Sequence, residues 1–153
     1  VMAKFIYRLQ NILDVKLKLE SQAKTAFSLA AAKLAEEEQK LEALYRMHEK
    51  AQEVYRNRSI GVLDLMELKE AKDMVEYIKG QIAEQKKAVD YAKKMLEVAR
   101  FQLNEAMKDR KIHEKLKENA FEEFIHEENE AEKKEIDQLV SFTYNNKGKA
   151  GVQ

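Results

Sequence analysis

The chain has 153 residues, with 28 basic side chains matched by 28 acidic ones, 37% charged residues, four Gly and no Cys, Pro or Trp. A composition rich in Ala, Glu, Lys, Leu, Arg and Gln belongs to long helices and coiled coils rather than to a thick globular core. It leaves no basic surplus to release counterions from nucleic acid, no thiolate for catalysis or metal binding, and no run of about 18 apolar residues to cross a bilayer.

These exclusions predict a soluble, cytoplasmic, all-helical protein. Val1 ahead of Met2 reads as a cloning remnant, with Met2 as the natural start. No charged stretch followed by an apolar one suggests a signal peptide.

In chain order, the first expected element is a helix over about residues 5–57. Ile6, Leu13, Phe27, Leu34, Leu41 and Tyr55 fall on one seven-residue register, interrupted by Glu20 and His48. Leu9, Ala23, Ala30, Leu44 and Ala51 take the companion position, where Lys16 and Glu37 are exceptions. Apolar positions spaced alternately three and four apart form the a/d seam of a coiled coil.

A turn follows at about 58–63. Gly61 suits the residue after a helix end, and Arg56 and Arg58 suit its negative pole. Asp64 and Glu67 have capping-box spacing, and Leu63 and Leu68 stand where a hydrophobic staple would. So short a connection folds the helices back on each other. A single continuous helix is the alternative, and it requires Gly61 to be tolerated inside.

The second helix is expected over about 64–142, with a frayed tail over 143–153. Leu68, Val75, Ile82, Val89, Leu96 and Leu103 repeat by sevens. Ala71, Ile78, Ala92, Ala99 and Ala106 accompany them, with Gln85 the exception, and the seam stops at Arg110, His113 and Lys117. The fold class is therefore all-α: a long two-helix antiparallel coiled-coil hairpin with the second helix overhanging the first, in one domain spanning 1–153. A turn centred near residue 60 exhausts the first helix opposite about residue 116. Residues 117–142 then overhang by roughly 38 Å.

That overhang is amphipathic, because Phe121, Phe124, Ile125, Ile136, Leu139 and Val140 share a side. Too few residues follow to fold back over them. Their cover is either a second overhang in a dimer or another molecule. Off the seam, Tyr45, Met47, Met74 and Tyr77 are expected at one level near the turn, as a docking patch or as neutral surface aromatics. Gly80 faces outward, for close approach of a partner or by drift.

Chemistry is not expected. NKGKAG near the end lacks the phosphate-loop pattern, and His48, His113 and His126 are too far apart to share a metal. HEENE (126–130) reads as a solvated charge run, and a two-helix hairpin encloses no pocket. The chain is read as a non-enzyme with no cofactor, no metal site and no catalytic residue.

FIYRLQNIL with KLKLESQAKTAFSLAAAKL near one end, and EKKEIDQLV near the other, resemble the end motifs of the flagellar export protein FliJ family. Phe5, Tyr7, Leu9 and Leu13 match at one end. Glu132, Lys134, Ile136, Asp137, Gln138 and Leu139 match at the other, with Gln138 and Val140 mild departures. The resemblance implies a cytoplasmic stalk, similar to the central stalk of rotary ATP synthases and peripherally associated with the membrane export apparatus. Its implied partners are the hexameric export ATPase FliI, the export gate FlhA and export chaperones, with no nucleic acid and no membrane insertion. By that resemblance Phe5, Leu9, Phe121, Phe124, Ile125, Ile136, Asp137, Leu139 and Val140 would contact the ATPase ring. Tyr45, Met47, Met74 and Tyr77 would face the gate. The stalk of a non-flagellar type III injector, or a structural homodimer with no ATPase partner, are the alternative readings.

Overall fold

Two helices dominate the computed structural model of the chain, which describes residues 3–150 and the side chains of 3–148. They are α1, Gln10–Arg58, and α2, Leu65–Ala150. Among the described residues there is no strand, and the architecture is an all-α helical hairpin.

The break between the helices follows from a few side chains. Ser59 donates from both its amide and its hydroxyl to the Tyr55 carbonyl, at 3.1 and 2.8 Å, closing the last turn of α1. Gly61 then takes φ 84°, a left-handed conformation that side chains with a Cβ avoid. Asp64 Oδ1 accepts from the amides of Met66 and Glu67, at 3.0 and 3.4 Å, satisfying two donors that the start of α2 leaves free. Arg58 reaches across the turn and donates to the Glu67 carbonyl at 3.3 Å.

Packing divides the chain into two compact units. One runs from Glu20 to Ala106 and contains the turn; the other joins the N-terminal residues up to Leu19 with those from Met107 onward. In the first unit Ala51, Val75, Ile78 and Ile82 form the buried centre, with Leu41, Leu44 and Tyr55 against it. These are the a/d residues of the seven-residue register. The Ala companions are among the most buried of all, because small side chains let the helices close on each other.

The two seam exceptions Glu37 and Gln85 meet. Gln85 Nε2 donates to the Glu37 carbonyl at 3.0 Å and to its carboxylate. Lys33 and Lys40 close on the same carboxylate, at 2.9 and 3.6 Å. A polar layer satisfied in this way fixes register, since any slip would leave a buried carboxylate unpaired.

In the second unit the register continues further than expected. Arg110, His113, Lys117 and Ala120 remain half-buried on the same seam, and Lys16 pairs with Asp109 at 3.5 Å. The seam changes chemistry at Arg110 without ending there.

The ends of the helices differ from expectation. α1 begins at Gln10, not near Phe5, and residues 3–7 are non-helical. Phe5 and Tyr7 turn inward, whereas Ile6 is 76% exposed and not part of the seam. This alternation is that of an extended chain, whose period is two. At the other end α2 stays helical past 142 through Ala150, and residues 151–153 of the expected tail lie outside the described residues.

Candidate functional site

No cluster of three or more His, Cys, Asp or Glu suited to a metal occurs among the described residues. No described helix is long and apolar enough to cross a membrane. Two apolar surfaces stand out among the described residues.

The first lies in the unit containing the chain ends. An extended residue advances about 3.3 Å along the axis against 1.5 Å in a helix, so the non-helical N-terminal segment reaches farther along α2. Its Phe5 ring stands 5.2 Å from Phe121, edge to face, and 5.3 Å from Phe124. Phe124 and Ile125 are accordingly half-buried, and Phe121 is 46% exposed. The expectation that nothing in the chain covers this trio, and that the overhang starts at 117, is therefore corrected. Phe5 supplies that cover for Phe121 and Phe124, while Leu9 remains partly open at 43%.

Beyond Glu128 the situation changes. Every residue from 129 to 148 is exposed, including Ile136, Leu139, Val140 and Asp137. The apolar stripe runs on through Phe142 and Tyr144, the latter 77% exposed. Leu139, Val140, Thr143, Tyr144 and Lys147 line one shallow groove along it. Tyr144 was outside the expected site residues because the expected helix stops at 142, and Phe142, at its last position, was not counted with the stripe. Their three-to-four spacing from Leu139 and Val140 was the available signal.

The second surface lies in the unit around the turn. Tyr45 sits under Lys86, whose Nζ is 5.9 Å from the ring centroid. Both follow the a position by four residues, on one flank of the seam. Met47, Met74 and Tyr77 occupy the opposite flank, each more than half exposed. The helical register thus brings Met47, Met74 and Tyr77 to one flank but leaves Tyr45 on the other. The same flank carries Leu29, Tyr91, Met95 and Val98, all exposed. Between Leu29 and Met47 lie Lys33, Glu36 and Lys40; Glu36 pairs with Lys40 at 3.2 Å.

Electrostatics single out one group. Hydrogen bonds from Lys33 and Gln85 hold the Glu37 carboxyl below its ordinary value of 4.5, and the Glu37 hydrogen bond raises Lys33 in turn. Both shifts keep the pair charged, as the polar layer requires.

Comparison with known proteins places these surfaces in context. The model of the family described as flagellar FliJ protein matches residues 5–149. Among solved structures, the chain is similar to CT670 of Chlamydia trachomatis, described as a candidate homologue of YscO. The TM-score is 0.69 and the identity 21%, over 95% of this chain and 99% of that one. No curated protein sequence gives a significant match. At this identity the structural likeness speaks for the fold.

Proposed function

The chain belongs to the flagellar FliJ family, and from that premise we propose that it is a non-enzymatic stalk of the type III export apparatus. It binds the hexameric export ATPase, FliI, and promotes ring assembly and ATP hydrolysis. The observation that carries the proposal is the bare apolar stripe of α2 at Ile136, Leu139, Val140 and Phe142, each more than half exposed. Covering four such side chains contributes on the order of 6–12 kcal/mol before ordering costs, enough to drive a specific association. This energy becomes available only where a partner supplies a complementary wall.

A ring of like subunits around one asymmetric stalk cannot be touched equally at every subunit. The stalk then stabilises one arrangement of the ring over others, which is how a non-enzyme promotes assembly and turnover. Phe5, Phe121, Phe124 and Ile125 form the packed collar of the same unit and present its rim to the ring, with Leu9 partly open beside them. Asp137, beside the stripe, is the polar contact of this surface. The Met47, Met74 and Tyr77 flank is the candidate contact for the gate FlhA, and Tyr45 marks a separate flank. Export chaperones are the further partners that family membership suggests.

The test is ATP hydrolysis by the cognate export ATPase with the full chain and with an Ile136→Asp/Leu139→Asp variant. Both substituted positions are solvent-exposed, so helicity should be unchanged while stimulation falls to the level of the ATPase alone. Equal stimulation by the two proteins would overturn the assignment of the stripe to the ring.

A further inference from the structure

The exposed flank of the unit around the turn carries a second heptad seam. In α1 the positions 29, 33, 36, 40, 43 and 47 alternate spacings of four and three, as do 74, 77, 81, 84, 88, 91, 95 and 98 in α2. Positions with this spacing form one stripe along a helix, the arrangement that packs against another helix. None of these side chains is fully buried in the chain itself.

At its large apolar residues and its central charges the stripe is symmetric about a centre, while Lys33 stands opposite Ala43 and Glu84 opposite Ala88. In α1, Leu29 and Met47 lie equally far on either side of position 38, and so do Glu36 and Lys40. In α2, Tyr77 and Met95 are equidistant from position 86, and so are Met74 and Val98. Tyr91 and Gln81 share that centre too. The two centres stand at nearly the same level of the hairpin, since Gln85 is hydrogen-bonded to Glu37. Apolar residues therefore sit at matching distances from the middle on both helices, with opposite charges flanking the middle of α1.

A surface with this arrangement is complementary to itself under a two-fold rotation. We infer that the flank is an isologous interface with a second copy of this chain, with α1 packed antiparallel on α1 and α2 on α2. Leu29 of each copy then meets Met47 of the other, Tyr77 meets Met95, and Met74 meets Val98. Glu36, paired with Lys40 of its own chain at 3.2 Å, also meets Lys40 of the other copy, and the Tyr91 hydroxyl meets the Gln81 amide. Shifting the copies by one heptad, or laying them parallel, separates these pairings.

The surface is also large enough. Leu29, Met47, Met74, Tyr77, Met95 and Val98 retain 40–67% of their area. With Tyr91 and the central polar residues they offer on the order of 800 Å² per chain, the share each partner contributes to a standard stable interface. This dimer does not depend on the ATPase reading. It uses the flank assigned above to the gate, so the dimeric and gate-bound forms exclude each other.

The test uses the purified full chain alone. Sedimentation equilibrium should give twice the 17.9 kDa chain mass at tens of micromolar. Glu36→Lys should return the monomer mass, because Lys then faces Lys40 of the other copy, and Glu36→Lys/Lys40→Glu should restore the dimer. Circular dichroism checks that each variant stays helical. The chain has no cysteine, so Leu29→Cys and Met47→Cys each introduce a single thiol. Mixed together they should be joined by a short bismaleimide at least about tenfold more than either alone, because identical positions lie roughly 27 Å apart. A monomer throughout the concentration range overturns the proposal and leaves the flank to a helix of another protein. A dimer that Glu36→Lys does not dissociate, or that joins Leu29→Cys to itself, overturns it as well.

Discussion

Replacing Phe5 by Ala tests how the N-terminal segment is held. The Phe5 ring packs on Phe121 and Phe124 at 5.2 and 5.3 Å and is half-buried. Full burial makes a Phe→Ala change cost about 3–5 kcal/mol, so half of that cover gives about 2 kcal/mol. Residues 3–9 precede the helix, so the loss should appear as local opening rather than as global unfolding. The amides of Gln10, Ile12 and Leu13 donate to carbonyls of Tyr7 and Leu9, at 3.1–3.2 Å, and report that opening directly. Native-state hydrogen exchange at these amides should accelerate about 30-fold in Phe5→Ala, at one decade per 1.4 kcal/mol. Amides of α2 near Ile82 should keep their rates. Unchanged exchange at Gln10, Ile12 and Leu13 would refute the claim that Phe5 holds the segment against α2.

Other expectations follow from single positions. Glu37 is held below its ordinary value, so the folded state binds fewer protons there than the unfolded one. Its stabilisation is present above about pH 4.5 and lost as pH falls through the depressed value. The thermal midpoint of the wild type should therefore drop more between about pH 6 and pH 3 than that of Glu37→Gln. His48 occupies a seam position with its Nε2 buried and without a partner. His48→Leu removes that orphan and adds apolar packing, and should raise stability by about 1–3 kcal/mol in urea titrations. Gly61→Ala meets no neighbouring atom, so its cost is the left-handed backbone alone, about 1–2 kcal/mol by the same titration.

Much of the fold was legible because long helices depend on short-range rules. The seam could be counted, Gly61 and Asp64 marked the turn by chemistry that only a few residues provide, and the short link required a hairpin. Two things were not legible for related reasons. One residue per heptad cannot distinguish a helix from an extended strand, so Ile6, seven residues before Leu13, was assigned to a seam that ends at Leu13. The true signal was the alternation of Phe5 and Tyr7 against Ile6. The mutual satisfaction of Glu37 and Gln85 was also hidden, since each was an exception within its own helix and only the pairing of helices brings them together. Among the site residues, grouping Tyr45 with Met47, Met74 and Tyr77 by axial level ignored direction around the helix, which separates Tyr45 from the other three. Tyr144 was missed because helix ends are the least constrained part of such a pattern.

The central claim is that the bare end of α2, and not the flank near the turn, meets the ATPase ring. It is tested most directly by placing a photo-reactive side chain at position 139 and, separately, at position 77. Each protein is irradiated with the assembled export ATPase and a non-hydrolysable nucleotide. The account predicts covalent capture of the ATPase from position 139 and none from position 77. Capture from 77 alone, or from neither position while the complex remains assembled, would contradict it.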